Sequence, residues 1–207
     1  MATEPATQNM TKNNTLNRQI SAEFLGSLIL VFTAISPIIL GFNVLGASIA
    51  VAVLMDAIAV GFVLFVLIET LGPVSGCHLN PAVTVAMLTA KKLGSKTAIA
   101  YIAAQMAGGL AGMLASHATF IGHDFFQWAA VSSISRGGGA FLAEFIGTFM
   151  LIVVIFGTMQ HQSTQAGLII GLLVGGFLIT TSSTMFANPQ VTFARMFTWS
   201  KAGIQPS

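Results

Sequence analysis

The chain has 207 residues, of which 55% are hydrophobic and 7% charged, with a formal net charge of +2 and a mean hydropathy of +0.85. That composition excludes a soluble globular domain, and so small a net charge leaves nucleic acid out as a partner. The lone cysteine, Cys77, excludes an internal disulfide and any cysteine metal cluster.

In chain order, residues 1–19 are polar, with Glu4, Lys12 and Arg18 and no apolar run ahead of the first span. This predicts a short disordered cytoplasmic tail rather than a signal peptide. A bilayer crossing takes about 20 mostly apolar residues, and residues 20–40, 47–71, 97–120, 140–158 and 166–185 qualify. Between the second and third of these lies His78-Leu79-Asn80-Pro81-Ala82-Val83-Thr84. After the fifth lies an imperfect copy, Phe186-Ala187-Asn188-Pro189-Gln190-Val191-Thr192. Glycines cluster at Gly108-Gly109, Gly112 and Gly175-Gly176, as expected where membrane helices pack backbone to backbone. Lys12 and Arg18 before the first span, and Lys91, Lys92 and Lys96 after the first motif, put both segments on the cytoplasmic side. The loop 121–139 is then outside and the segment around His161 inside.

Each motif sets a polar turn beside long apolar runs, where facing lipid would be costly, so the turn is expected to face water inside protein. Asparagine is a good N-cap and proline suits the first helical position, which predicts short helices over 81–89 and 189–199. Such helices aim free N–H groups and a partial positive charge at what precedes them. Two of them meeting at mid-membrane would welcome neutral hydrogen-bonding molecules and repel cations.

These paired motifs resemble those of the aquaporin, or major intrinsic protein, family. The resemblance runs from Ser21 to the C-terminus, and Ala22-Glu23-Phe24-Leu25-Gly26 recurring as Ala143-Glu144-Phe145-Ile146-Gly147 supports it. It implies an all-α membrane protein with an inverted repeat, about 20–120 and 140–207, and two re-entrant half-helices. It implies a channel domain over 20–207, embedded in the cell membrane with the N-terminus cytoplasmic, and a homotetramer with one pore per subunit. The family has six full spans; here the chain stops where the sixth would begin, which is the pattern of a fragment of a longer product.

The resemblance assigns Asn80, Pro81, Ala82, Asn188, Pro189 and Gln190 to the pore motif. It assigns bracing of the re-entrant loops to Glu23 and Glu144, the latter with His78; the alternative is carboxylates at helix ends facing the interface. Counting from the asparagines puts the filter at Val60, Gly176, Met185 and Val191, where most members have an aromatic at the first position and an arginine at the last. The expected filter is wide and apolar, suited to solutes of the glycerol, urea or metalloid-acid kind, as in bacterial members with valine for the filter arginine. Asp56 and Arg195, each one turn from a filter position, are expected at the pore mouth, or else facing another helix and the interface respectively. Cys77 is either a packing residue or a pore-facing thiol. Gln190, where the family keeps alanine, either narrows the pore centre or turns into the loop.

No catalytic, metal-ligand or phosphate-loop pattern is present, so no enzyme and no cofactor is expected. The rival readings are a non-conducting membrane protein and a leaky ion channel, the latter because the filter arginine is missing.

Overall fold

The computed structural model of the chain describes residues 4–206, with side chains from Thr15 onward. Helix α1 (Glu4–Thr33) reaches back through the segment expected as a disordered tail, and its apolar part begins only near Ile20. No glycine or proline follows Pro5 in that segment to stop a helix growing back from the span, and Pro5 itself sits in the first turn, where proline fits. Residues 1–3 of the expected tail lie outside the described residues.

The first span continues through α2 (Ser36–Ile38) and a π-helical turn (Ile39–Val44). Pro37 cannot complete the helical ladder, and the Thr33 hydroxyl donates to the Ile29 carbonyl at 2.8 Å, so the element bends where regular bonding is interrupted. Helix α3 (Ile49–Ser75) is capped by Ser48, whose hydroxyl accepts from the Val51 N–H, and ends at Gly76 with φ +86°, a left-handed cap that glycine adopts freely. Then come α4 (Pro81–Thr89), α5 (Ser95–Ala118), α6 (Gly139–Gln160), α7 (Ala166–Thr180) and α8 (Pro189–Arg195).

Residues Thr15–Val44, α3, α5 and α6 are each long and apolar enough to cross a membrane. Helix α7 is shorter than the expected 166–185: it has 15 residues, or about 22 Å at the helical rise. Its end follows from side-chain chemistry. The Thr181 hydroxyl donates to the Phe177 carbonyl, and the Met185 N–H turns to the hydroxyls of Thr181 and Ser183 rather than continuing the ladder. Helix α8 likewise ends at Arg195, short of the expected 199.

Glycine decides how the helices pack. Helix α5 lies against α1 with Gly108 facing the Phe24 carbonyl and Gly112 the Leu28 carbonyl, so close that a methyl group at either would collide with backbone. Helix α7 lies against α3 in the same manner, with Gly171 at the Gly61 carbonyl and Gly175 at the Ala57 carbonyl. Helix α6 is less covered. Phe141, Phe145 and Phe149 are 76%, 69% and 58% exposed, although Phe145 and Phe149 correspond in the repeat to the α1 residues Phe24 and Leu28 that α5 contacts.

Residues 121–138 form an irregular loop held to the segment after α8. Ala130 and Ser132 donate to the carbonyls of Phe197 and Met196, and Gln205 donates to that of Ile134. The buried His117 ring links the two segments of this arrangement through the Trp128 carbonyl and the Thr198 hydroxyl, both at 2.8 Å.

The α1–α5 crossing yields a direct test. Gly112→Ala is expected to lower thermal stability in detergent by about 1–3 kcal/mol, the usual cost of overpacking. Gly176→Ala, on the same scale, is expected to be neutral, since nothing lies within 4 Å of its added carbon. Parallel melts of the two purified variants read this out.

Candidate functional site

The two motifs meet. Asn80 caps α4 by accepting from the Ala82 N–H at 2.8 Å, and Asn188 caps α8 by accepting from the Gln190 N–H at 3.2 Å. With the oxygen of each side chain committed to its own helix, the amide nitrogen reaches across. Asn80 Nδ2 donates to the Ala187 carbonyl at 2.7 Å, and Asn188 Nδ2 to the Leu79 carbonyl at 2.8 Å. Each helix tip is thus tied to the loop that feeds the other. One N–H of each amide remains for a third partner.

The loops reach this point through backbone that side chains normally avoid. Cys77 and Leu79 have φ of +50° and +46°, and Met185 and Ala187, 108 residues on, have +26° and +44°. Two carboxylates hold these turns. Glu23 accepts from the N–H groups of His78 at 2.9 Å and Leu79 at 2.8 Å, and also from the Ser75 hydroxyl and the Gln105 amide. Glu144 accepts from the N–H groups of Phe186 at 2.9 Å and Ala187 at 2.6 Å. Glu23 is fully buried, whereas Glu144 is half-buried. Next to each carboxylate a glycine makes room for the loop: a methyl at Gly26 would meet the Leu79 side chain, and one at Gly147 that of Met185 at 2.8 Å.

His78 departs from its expected partner. It belongs to the loop that Glu23 holds, and its Nδ1 lies 3.1 Å from the Thr84 hydroxyl, with the ring edge-on to Tyr101; it makes no bond to Glu144. The resemblance implied a partner in the other repeat, whereas each carboxylate holds the loop of its own half.

One continuous cavity of about 620 Å³ runs past the meeting point, from Gln19 and Lys92 at one end to Phe186 and Arg195 at the other. Asn80, Asn188, Cys77, His78, Val60, Met185 and Val191 all line it, as do the loop residues Ser75 to Leu79 and Thr184 to Ala187. Gly176 does not: it lies on the exposed face of α7 in open space. The α7 residues that face the cavity are Ala166, Ile170, Val174 and Leu178, four apart, and Gly176 falls half a turn away from both its neighbours in that stripe. The wall there is branched aliphatic, not absent. Gln190 stays out of the cavity too. It is 1% exposed, donates to the Leu79 carbonyl at 2.6 Å, and fits its amide oxygen against the bare backbone of Gly109.

At the far end Asp56 and Arg195 form a buried ion pair at 3.1 Å, 2% exposed each. The same Arg195 nitrogen donates to the Ala34 carbonyl, and the guanidinium stands 4.4 Å from the centre of the Phe186 ring. Arg195 lines the main cavity, while Asp56 lines only a second one beyond it. A residue with no motif to announce it completes this end. Arg136, in the irregular loop, donates to the carbonyls of Ser183 and Gly203 and to the Thr184 hydroxyl, and stands 4.8 Å from the Phe186 ring centre. Among the described residues no group of histidine, cysteine and carboxylate side chains is placed to hold a metal ion.

The profile of the major intrinsic protein family matches residues 10–200. The chain is 34% identical over 191 residues to an aquaglyceroporin, AqpS, of Rhizobium meliloti (strain 1021), covering 92% of this chain and 80% of that protein. It is 33% identical over 218 residues to the aquaporin AqpM of Methanothermobacter thermautotrophicus, covering 86% and 82%. Among solved structures, the aquaglyceroporin from Plasmodium falciparum superposes with a TM-score of 0.65 at 23% identity, covering 87% of this chain and 77% of that one, which shows the shared fold. The chain therefore belongs to the major intrinsic protein family, and is a multi-pass membrane channel for water and small solutes rather than an enzyme.

Proposed function

We propose that this channel passes small neutral solutes of the glycerol, urea or metalloid-acid class by passive diffusion, with Asn80 and Asn188 as donors at its centre. The observation that carries the reading is the tip-to-tip meeting of two asparagine-capped half-helices on the wall of one continuous cavity. Each asparagine keeps an N–H free for a solute oxygen, and the loop carbonyls before each supply acceptors. Both helix N-termini add positive potential at the centre, which disfavours a cation there.

The filter we assign to Val60, Met185 and Val191, with Val174 and Leu178 taking the wall position first assigned to Gly176. Five apolar side chains hold no water ligand and donate nothing, so they discriminate by size and by the ease of stripping a solute's hydration. Asp56 and Arg195 form the pore mouth beyond them. The N-terminus is placed in the cytoplasm and the Arg195 end outside, on the lysine and arginine distribution. The setting is a plasma or bacterial inner membrane and the assembly a homotetramer with one pore per subunit.

Light scattering from shrinking and swelling proteoliposomes tests the conducting reading. Glycerol is expected to enter vesicles carrying the chain much faster than protein-free vesicles, and Asn80→Ala with Asn188→Ala is expected to abolish the difference. A well-folded chain that passes neither water nor glycerol would return it to the non-conducting reading.

The loop-bracing role assigned to Glu23 and Glu144 predicts a rank order. Glu23→Gln is expected to destabilise the protein by about 3 kcal/mol or more, since four hydrogen bonds lose their charged acceptor and each is worth roughly 1.5–3 kcal/mol. Glu144→Gln, with two bonds and partial exposure, is expected to cost clearly less. Equal effects in denaturation melts would refute the assignment.

Cys77 is proposed as a thiol facing the pore. Mercurial reagents are expected to block solute entry into proteoliposomes of the parent chain, and Cys77→Ser to remove that block; persistent block in the variant would make Cys77 a packing residue only.

A further inference from the structure

At the Arg195 end a second cavity of about 470 Å³ opens, and the charges that line it are Asp56, Arg136, Arg195 and Lys201. Three cations face one carboxylate. Within the lining the imbalance is not relieved. Arg195 commits one nitrogen to both Asp56 and the Ala34 carbonyl and leaves its Nε without a partner, although the residue is only 2% exposed. The bonds of Arg136 go to carbonyls and a hydroxyl, which are dipoles and carry no counter-charge. Lys201 lies 5.7 Å from the Phe42 ring and pairs with no carboxylate among the described residues. Glu144, whose charge also reaches Arg136, does not line this cavity and is hydrogen-bonded by the N–H groups of Phe186 and Ala187. Burial first, and the charge of Arg195 second, push the Arg136 guanidinium down to about 10, so it stays charged at neutral pH in a potential that favours losing the proton.

We propose that this vestibule is a binding site for a small oxyanion, phosphate or sulfate in kind, held by Arg136, Arg195 and Lys201. Guanidinium and ammonium groups suit tetrahedral oxyanions, giving charge-assisted bonds through several donors at once. The hydroxyls of Ser182 and Thr184 line the same cavity and are further donors. A bound anion supplies the counter-charge that Asp56 alone does not, and occupies the approach to Arg195, where the second cavity meets the first. The chemistry fits a free ion and the phosphate of a lipid headgroup alike. Because the site is read by binding, its test stands apart from the neutral-solute reading, which is read by flux.

The experiment is calorimetric titration of the full chain in neutral detergent with sodium phosphate or sulfate at millimolar concentration, against sodium chloride at equal ionic strength. Saturable heat with the oxyanions and none with chloride is expected. Lys201→Gln, at an exposed residue with no hydrogen bond of its own among the described residues, is expected to weaken binding by about threefold or more, the effect of one partly screened charge. Asp56→Asn removes the only carboxylate in the lining among the described residues and is expected to tighten binding by a similar factor; if that variant does not fold, Lys201→Gln carries the test. In a second arm, phosphatidylcholine vesicles with and without phosphatidylglycerol separate the two sources. A Lys201-dependent stabilisation by phosphatidylglycerol, without response to free ions, assigns the site to headgroup phosphate. No saturable response in either arm, or an oxyanion affinity indifferent to Lys201→Gln, overturns the proposal.

Discussion

The structure depends on how two irregular turns survive where water is scarce. A backbone N–H left unpaired in an apolar setting costs several kcal/mol, and the turns before Asn80 and Asn188 add the strain of side-chain-bearing residues at positive φ. A carboxylate resolves both at once. It accepts two successive N–H groups that no helix can use, and because each bond is charge-assisted it outweighs the penalty of a left-handed residue. In return the N–H groups solvate, by hydrogen bonding, what would otherwise be an isolated charge within a span. Remove either party and the other becomes a liability. The half-helices, their caps and the cavity between them all follow from that mutual dependence.

The two halves solve the problem unequally. Glu23 sits within a closed network, with Ser75 on one side and Gln105, itself bonded to Thr84, on the other. Gln105 arrives on α5, which the glycines Gly108 and Gly112 allow to lie directly on α1. Glu144 has the same two loop N–H groups but no helix of this kind beside it, and remains half-buried. Gln190 partly compensates at the other side of the loop pair. Its amide gives the Leu79 carbonyl a second donor that Ala82, its counterpart in the first motif, lacks. The departure from alanine therefore reads as reinforcement of the junction, and it leaves the lumen unobstructed.

What the sequence discloses depends on whether a feature is local in the chain. The asparagine caps, the prolines behind them and the paired glutamates were legible because each is a short pattern repeated at a fixed offset, and the resemblance to a family rests on those patterns. Val60, Met185 and Val191 were placed on the cavity by counting along elements whose register the motifs fix. The same counting failed at Gly176, since α7 hangs between two loops and nothing in its run of small and aliphatic residues says which face it presents. Close packing decides that: Gly171 and Gly175 are the faces that let α7 touch α3, and this turns Val174 and Leu178 inward and Gly176 out. The early end of α7 was hidden for a related reason, as threonine and serine hydroxyls redirect the chain without changing its apolar average. Arg136 was illegible altogether, because it stands in an irregular loop and acquires meaning only where that loop folds over Phe186.

On the proposed filter assignment, Arg136 and Arg195 also bear on how cations are excluded. The cavity wall formed by Val60, Val174, Leu178 and Val191 offers no side-chain donor, and an apolar wall by itself discriminates poorly between a cation and a neutral solute once water enters. Charge, however, acts over several ångströms wherever water is excluded. Arg195 lines the same cavity as Val191 from one turn away on α8, and its pairing with Asp56 fixes the guanidinium in place. Arg136 stands over the same Phe186 ring and adds a second positive group that makes no ion pair with a carboxylate among the described residues. On that assignment a cation approaching from that end would meet positive potential before the apolar walls, and again at the two helix N-termini beyond them. On the function proposed above, selection by size and selection by charge are separated along the cavity: Val60, Val174, Leu178 and Val191 supply the apolar walls, and the positive groups Arg136 and Arg195 stand beyond them at one end.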